Sequence, residues 1–359
     1  MTQYIIRRIL LAIPVVIGIL IVTFAMARLI PGDPCRAILG EKATQAACDR
    51  FIKDFGLDQP IPVQFWIYIK DLARGDFGNS IRFGRPITTI LIERLPVTIE
   101  LGTIALLIAI SVGIPLGIIS AVRRNSLIDV FTMIGANIGV SMPVYWLGLM
   151  LAYVFALLLR DTPFWLPPSG RLTAGLSPVP FYQVYDLEMA RDSFFYAASQ
   201  FISNMYILNS LITRNWVILG DALRHLILPA MALSTIPLAI IARMTRSSML
   251  EVLKQDYIRT ARAKGLLENS VVLKHAFRNA MLPIVTIVGL QVGALFAGAV
   301  LTETIFGLAG VGRMLFEGIT ARDFPIIQGF TIVIAVSYVF INLLIDLSYV
   351  FIDPRIRLD

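Results

Sequence analysis

Six apolar runs set the plan of this chain: Ile9 to Ala27, Leu101 to Val122, Val130 to Leu159, Leu226 to Ala242, Met281 to Thr302 and Pro325 to Ile345. Each is near or above the ~20 residues that a helix needs to cross hydrocarbon. Polar connections containing Gly and Pro separate them. The pattern predicts an all-α polytopic membrane protein with six transmembrane helices. In the first run, Ala25-Met26-Ala27 mimics a signal-peptide cleavage site. The run exceeds the ~7–15 apolar residues of a signal peptide, so a retained span is expected. Gly113, Pro115 and Gly117 interrupt the second run, and such breakers are tolerated where neighbouring helices satisfy the backbone. The third is longer than a span requires, and Ser141-Met142-Pro143 near its middle predicts a kink or a tilt.

The connections divide the chain. Residues 1–30 hold the first span, and 31–95 read as a small extracytoplasmic domain between spans one and two. Residues 96–359 read as a five-span core, with an extracytoplasmic insertion at 160–225 and a cytoplasmic loop at 243–280. Within 31–95, short helices are expected around Gln45–Phe55 and Pro62–Leu72, the second opened by prolines suited to a first turn. Cys35 and Cys48 fall in the same domain. In an oxidising space they form a disulfide; the alternative is two inert buried thiols. The segment from Tyr182 to Asn204 holds Phe194, Phe195, Tyr196 and Phe201 and suits an amphipathic piece at the membrane surface.

Composition agrees with a membrane protein. The 359 residues are 57% hydrophobic and 15% charged, with mean hydropathy +0.77, against about 45–50% and about 25% in a soluble domain. The net charge of +7 is carried by dispersed basic residues, which argues for cytoplasmic loops and anionic lipid and against nucleic acid. Two cysteines and two histidines leave no zinc cluster at the usual spacing, so no metal and no cofactor are expected. Arg7 and Arg8, Arg123 and Arg124, the basic residues between Arg243 and Arg278, and Arg355 and Arg357 all fall in short segments on one side. Short loops decide orientation. Both termini and the 243–280 loop are therefore expected in the cytoplasm of a multi-pass inner (plasma) membrane protein.

The stretch Glu251 to Pro283 lies between apolar runs yet carries Lys254, Arg259, Arg262, Lys264, Lys274 and Arg278. It belongs in water. Leu253, Tyr257, Ala261 and Gly265 recur every four residues, which predicts one helical stripe narrowing from bulky to small residues. Such a stripe suits a docking helix, with Ala261 required to stay small and Gly265 placed to end the helix in the left-handed conformation.

DYIRTARAKG followed by RNAMLP resembles the cytoplasmic coupling loop of permease subunits in ATP-binding-cassette (ABC) importers. YIIRRILLAIP with LIPGDP, FGLDQPIPVQFW, RGDFGNSIRFGRPI, PPSGRLT and NWVILGDALRHLILPA resemble the first of the two paired permeases of the oligopeptide/dipeptide (nickel/peptide) branch. Arg259 and Thr260 stand where the general importer pattern has an acidic residue and a second alanine. The interval from Gly265 to Pro283 is also longer; both departures match the peptide branch. Ala309 replaces a common proline in the outer hairpin ETIFGLAGVGRMLFEGITARDFP, and 182–204 is additional length. The resemblance implies a pore subunit importing di- or oligopeptides. Its partners would be a homologous second permease, two ABC ATPase subunits and an extracytoplasmic binding protein. Asp256, Tyr257, Arg259, Ala261, Arg262, Lys264 and Gly265 would couple to the ATPase. Nickel, glutathione and oligosaccharides are cargoes of relatives on the same scaffold.

Several chemistries are missing. The spans hold no ionisable residue near their centres, with Glu100, Asp129 and Asp346 toward ends, which weighs against an ion-coupled secondary transporter. No GxxxxGK[ST] motif occurs, so ATP hydrolysis would belong to separate subunits and this chain is not an enzyme. Glycines 307, 310 and 312 lack the order and the preceding strand of a dinucleotide fingerprint. His225 and His275 are expected in loops at span ends, solvated or bonded to backbone, which leaves no catalytic residue for a membrane-embedded enzyme. Asn137, Ser141, Met142 and Gln291 are the candidates for lining a translocation path.

Overall fold

The computed structural model describes residues 2–29, 35, 43–54, 56–191 and 193–352. The tail with Arg355 and Arg357, residues 30–34 of the LIPGDP string, and the side chains of Arg7, Arg8 and Asp346 lie outside the described residues. The chain is helical, and among the described residues the sole β-pairing is an isolated bridge between Asn79 and Pro86. In order come α1 (Thr2–Leu29), α2 (Gln45–Asp54), α3 (Ile61–Ala73), α4 (Ile87–Val122), α5 (Leu127–Ser141) and α6 (Val144–Ala152), which runs on as a π-helical turn, Tyr153–Leu158. Next are α7 (Phe181–Val184), α8 (Phe194–Ser203), α9 (Tyr206–Ile212), α10 (Trp216–Val252) and α11 (Asp256–Ala263). A turn at Glu268–Ser270 and a π-helical turn at Val271–Phe277 lead into α12 (Arg278–Ile305), and α13 (Val311–Thr320) and α14 (Phe324–Ile352) complete the fold.

Among the described residues four helices are long and apolar enough to cross a membrane, or five if a bent pair counts as one, and α1 contributes a shorter apolar stretch, Ile9–Ala25. The third apolar run bends where a kink was expected, at Ser141–Pro143, but further than a kink: the helix breaks, and its halves α5 and α6 diverge by 101°. Pro143 has no N–H to continue the helix and forces the residue before it out of the helical region; Met142 is extended at φ −77, ψ 128. The second run, by contrast, lies within one unbroken helix, α4, which starts ahead of it at Ile87 and continues through Pro96 and, inside the run, Pro115.

The centre of the protein is α10. Of its apolar window 67% is buried inside the protein, against 33% for the window in α4. Asn215 starts it by accepting a hydrogen bond from the Ile218 amide, 3.2 Å. The helix overruns the expected Leu226–Ala242 at both ends, because Ile218, Ala222 and His225 before it and Thr245, Ser248 and Met249 after it are buried against neighbours. His225 is thus inside a helix and not in a loop, with Nδ1 2.9 Å from the Asp221 carbonyl oxygen.

Apolar burial adds little between helices in lipid, so close approach and polar pairing hold them together. The glycines of α4 supply the approach. A Cβ on Gly117 would lie 2.6 Å from the Ala242 carbonyl oxygen, and one on Gly113 2.9 Å from that of Leu238. Gly293 plays the same part in α12, where a Cβ would meet the Tyr338 ring of α14 at 2.0 Å.

Buried carboxylates tie the opposite end of the bundle. Glu303, near the end of α12, accepts from Thr98 Oγ1 at 2.6 Å and from the Arg313 amide at 2.9 Å, so a side chain from another helix satisfies the free N–H groups opening α13. Asp323 accepts from Ser80 Oγ at 2.6 Å and the Arg82 amide at 3.0 Å, pinning the loop before α4. Glu100 accepts from Arg171 Nη2 at 2.8 Å and the Ile207 amide at 2.7 Å, docking the 160–215 segment onto α4. In that segment Phe194 and Phe195 are exposed, while the rest of α8 is half-buried against the protein. Cys35 and Cys48 are joined in a disulfide, Cα–Cα 5.3 Å, over a small cluster with Ala43, Ile52, Leu57 and Ile81. Phe24 of α1 meets the Phe65 ring of α3 at 5.1 Å.

Candidate functional site: the turn between α10 and α12

Where α10 ends, Leu253, Lys254 and Gln255 form a turn held by amide bonds to the carbonyls of Met249, Glu251 and Val252. The chain then enters α11, with Asp256 in its first turn, where a negative charge suits the helix dipole. Gly265, at φ +73, ends it. The Gly265 amide donates to Arg262 O at 2.9 Å and the Leu266 amide to Ala261 O at 3.4 Å, the paired bonds of a left-handed helix stop. A Cβ at Gly265 would meet nothing within 4 Å beyond its chain neighbours, so the requirement for glycine here is one of backbone conformation.

The predicted stripe does not exist as one face. Leu253 sits in the turn before α11 and Gly265 beyond its end. Ala261, expected to face a partner, points inward and is 8% exposed; Ile258 is fully buried beside it. They pack in one cluster with Ala121, Met249, Val271, Val272, Ala276, Ala280 and Ile284. The short helix is therefore bolted to the ends of α4 and α10 and the start of α12. Ala261 must be small because its own protein crowds it.

The outward side is different. Tyr257 is 44% exposed and Leu267 80%, with Leu266 and Leu273 also exposed and apolar. Partial burial pushes the Tyr257 phenol above its ordinary pKa. Arg259 and Lys264 flank them in solvent. Arg262 forks onto Glu268, at 2.6 and 3.1 Å, and braces the turn from outside. The Arg259–Asp256 pair is almost fully solvated and contributes little. Sequence reasoning passed over Leu266, Leu267 and Leu273. Their signal was a pair of leucines directly after a helix-stopping glycine in an otherwise charged loop.

The path candidates fall in two places. Asn137, Ser141 and Met142 lie along the end of α5 at the break. Asn137 Oδ1 accepts from Arg243 Nη2 at 3.0 Å, and Ser141 Oγ donates to the Asn137 carbonyl oxygen at 2.9 Å. Gln291 is buried on α12, and among the described residues no hydrogen bond joins it to the other three. His275 lies in the π-helical turn, its carbonyl accepting from Asn279 Nδ2 at 2.7 Å.

Comparison with known proteins places this architecture. Residues 113–358 match the family described as binding-protein-dependent transport system inner membrane component, and residues 1–102 match its N-terminal membrane component. The dipeptide transport system permease protein DppB of Alkalihalophilus pseudofirmus is 45% identical over 99% of this chain and 100% of its own length. DppB of Escherichia coli is 42% identical over 99% of both. The oligopeptide transport system permease protein AppB of Bacillus subtilis is 37% identical over 99% of this chain and 100% of its own. With helices fit to span a membrane, no strand among the described residues and both halves matched, this chain belongs to the binding-protein-dependent transport system inner membrane components, the permeases of ABC importers.

Proposed function

We propose that this permease forms half of the translocation pathway for di- or oligopeptides. It would pair with a homologous second permease, receive cargo from an extracytoplasmic binding protein and be driven by two separate ABC ATPase subunits. Near full-length similarity to dipeptide and oligopeptide permeases supports the cargo. In this reading α1, α4, α5 with α6, α10, α12 and α14 make six crossings with both termini in the cytoplasm. The short, basic 123–124 and 243–280 segments face the cytoplasm. Residues 31–95 and 160–225 lie outside, where an oxidising space suits the Cys35–Cys48 bridge. Asn137, Ser141, Met142 and Gln291 remain candidates for the path.

The observation that carries the reading is the turn around α11. The exposed apolar side chains Tyr257, Leu266, Leu267 and Leu273, in a stretch that also exposes Arg259 and Lys264, are carried by a turn whose helix is anchored through buried Ile258 and Ala261. Exposed apolar clusters with a polar rim mark protein-docking surfaces, and the partner here is the ATPase. Tyr257→Asp and Leu267→Asp, made in the assembled importer, should lose ATPase on co-purification while keeping the partner permease. Full retention of the ATPase by both variants would sink the docking assignment.

A further inference from the structure

Asp129 lies at the start of α5, and all of its carboxylate hydrogen bonds run to groups that join three parts of the fold. Arg246 of α10 forks onto it, Nε to Oδ1 at 2.7 Å and Nη2 to Oδ2 at 2.8 Å. Ser120 Oγ, in the last turn of α4, donates to Oδ1, and the Asn125 amide of the α4–α5 connection donates to Oδ2 at 2.9 Å. The Asp129 side chain is 5% exposed. A fork of this kind fixes orientation as well as distance. One turn back along α10, Arg243 reaches Asn137 on the same α5. Two arginines of α10 thus grip α5 at both ends.

The two halves of the broken run have different attachments. α5 is tied to the end of α10, which leads through one turn into α11. α6 is tied further back: a Cβ on Gly148 would meet the Phe306 ring, in the turn after α12, at 3.1 Å and Ala232 of α10 at 3.9 Å, before Pro237 interrupts the hydrogen bonding of that helix, and the Leu166 amide bonds to Phe155 O in the π-helical extension. Between them stand Met142, whose amide still closes α5 on the Ile138 carbonyl at 3.0 Å, and Pro143, whose carbonyl accepts the first bond of α6 from Leu147 at 3.1 Å; among the described residues no backbone hydrogen bond crosses from one half to the other, and the chain turns by 101°.

We propose that Asp129 and Arg246 are positioning residues for energy coupling: they make α5 and the end of α10 one rigid lever, and the Met142–Pro143 break is its fulcrum. A displacement delivered at α11 then rotates α5 against α6, moving Asn137 and Ser141 relative to the outer half. This rests on the proposed docking of the ATPase at α11. Asp129 and Arg246 lie outside that docking patch, and neither touches cargo in this scheme.

The test uses the whole importer, with both permeases and ATPases, in proteoliposomes, reading peptide uptake and ATP hydrolysis together. Asp129→Asn and Arg246→Gln should lower peptide delivered per ATP about tenfold, with hydrolysis and ATPase retention near wild type. The reciprocal pair Asp129→Arg with Arg246→Asp, and Asp129→Glu alone, should recover much of the ratio. Unchanged stoichiometry, or uptake and hydrolysis falling together in an intact complex, overturns the proposal. A second arm needs no variant of the pair. Spin labels at Phe131→Cys on α5 and Leu149→Cys on α6, both exposed positions, should change separation between nucleotide-free and nucleotide-trapped states. A constant distance overturns the lever whatever the charge variants do. If instead Leu267→Asp keeps its ATPase while the label distance still changes, the docking patch is misplaced and the lever stands.

Discussion

Gly265 offers the sharpest separation of backbone from side-chain effects. Its φ of +73 costs an L-residue roughly 1–2 kcal/mol, while a Cβ there meets nothing within 4 Å beyond its chain neighbours. Gly265→Ala therefore strains the stop without any clash inside the permease. The strain weakens the turn presenting Leu266 and Leu267 by a factor of about 5–30, since each ~1.4 kcal/mol is tenfold. Gly265→Asn, which tolerates the left-handed region, should lose much less. Gly265→Leu carries the strain of alanine plus bulk in the space assigned to the ATPase, so it should fall to near background. The assay is ATPase affinity measured by titration onto immobilised permease pairs, with uptake in vesicles alongside. The order expected is glycine, asparagine, alanine, leucine. Wild-type affinity in Gly265→Ala would refute the backbone argument, and a leucine variant no worse than alanine would refute the docking geometry.

Further consequences follow from the helix contacts and the proposed orientation. Gly117→Leu drives a side chain into the Ala242 backbone 2.6 Å away; overpacking of ~1–3 kcal/mol or more should lower its melting temperature in detergent, whereas the same change at Gly102, which faces open space, should not. Single cysteines at Leu127 and Leu267, exposed and assigned to the cytoplasm, should resist a membrane-impermeant thiol reagent in intact cells, while one at Phe194 should react; the reverse pattern inverts the topology. Removing the bridge with Cys35→Ser should cost the outer domain up to about 3 kcal/mol and increase protease nicking near α2 with uptake partly kept; unchanged nicking would show that the bridge is dispensable.

The apolar runs were legible because each carries its own evidence: length and lack of charge suffice to predict α4, α10, α12 and α14. Gly265 was legible for a similar reason, since only a local conformation is at stake. The direction in which Ala261 faces was not. On an eight-residue helix the buried side is chosen by whatever surface it lands on, here Met249 and Val272, far from it in any periodic pattern. The extent of the bend at Pro143 was hidden too, because proline predicts a lost hydrogen bond but not the angle that packing then selects. Glu303 and Asp323 stood without a role in the outer hairpin, and Asp129 read as a charge toward a span end. Their partners Thr98, Ser80 and Arg246 lie more than a hundred positions away in sequence, beyond the reach of local spacing.

The central claim is that this permease moves peptides on energy delivered by ATPases docked at α11. The most direct test is dipeptide uptake into sealed proteoliposomes containing the full importer and its binding protein. The account predicts accumulation that needs ATP on the ATPase side, survives collapse of ion gradients by ionophores, and disappears in Leu267→Asp. Uptake that runs without ATP and stops on collapse of an ion gradient would contradict it.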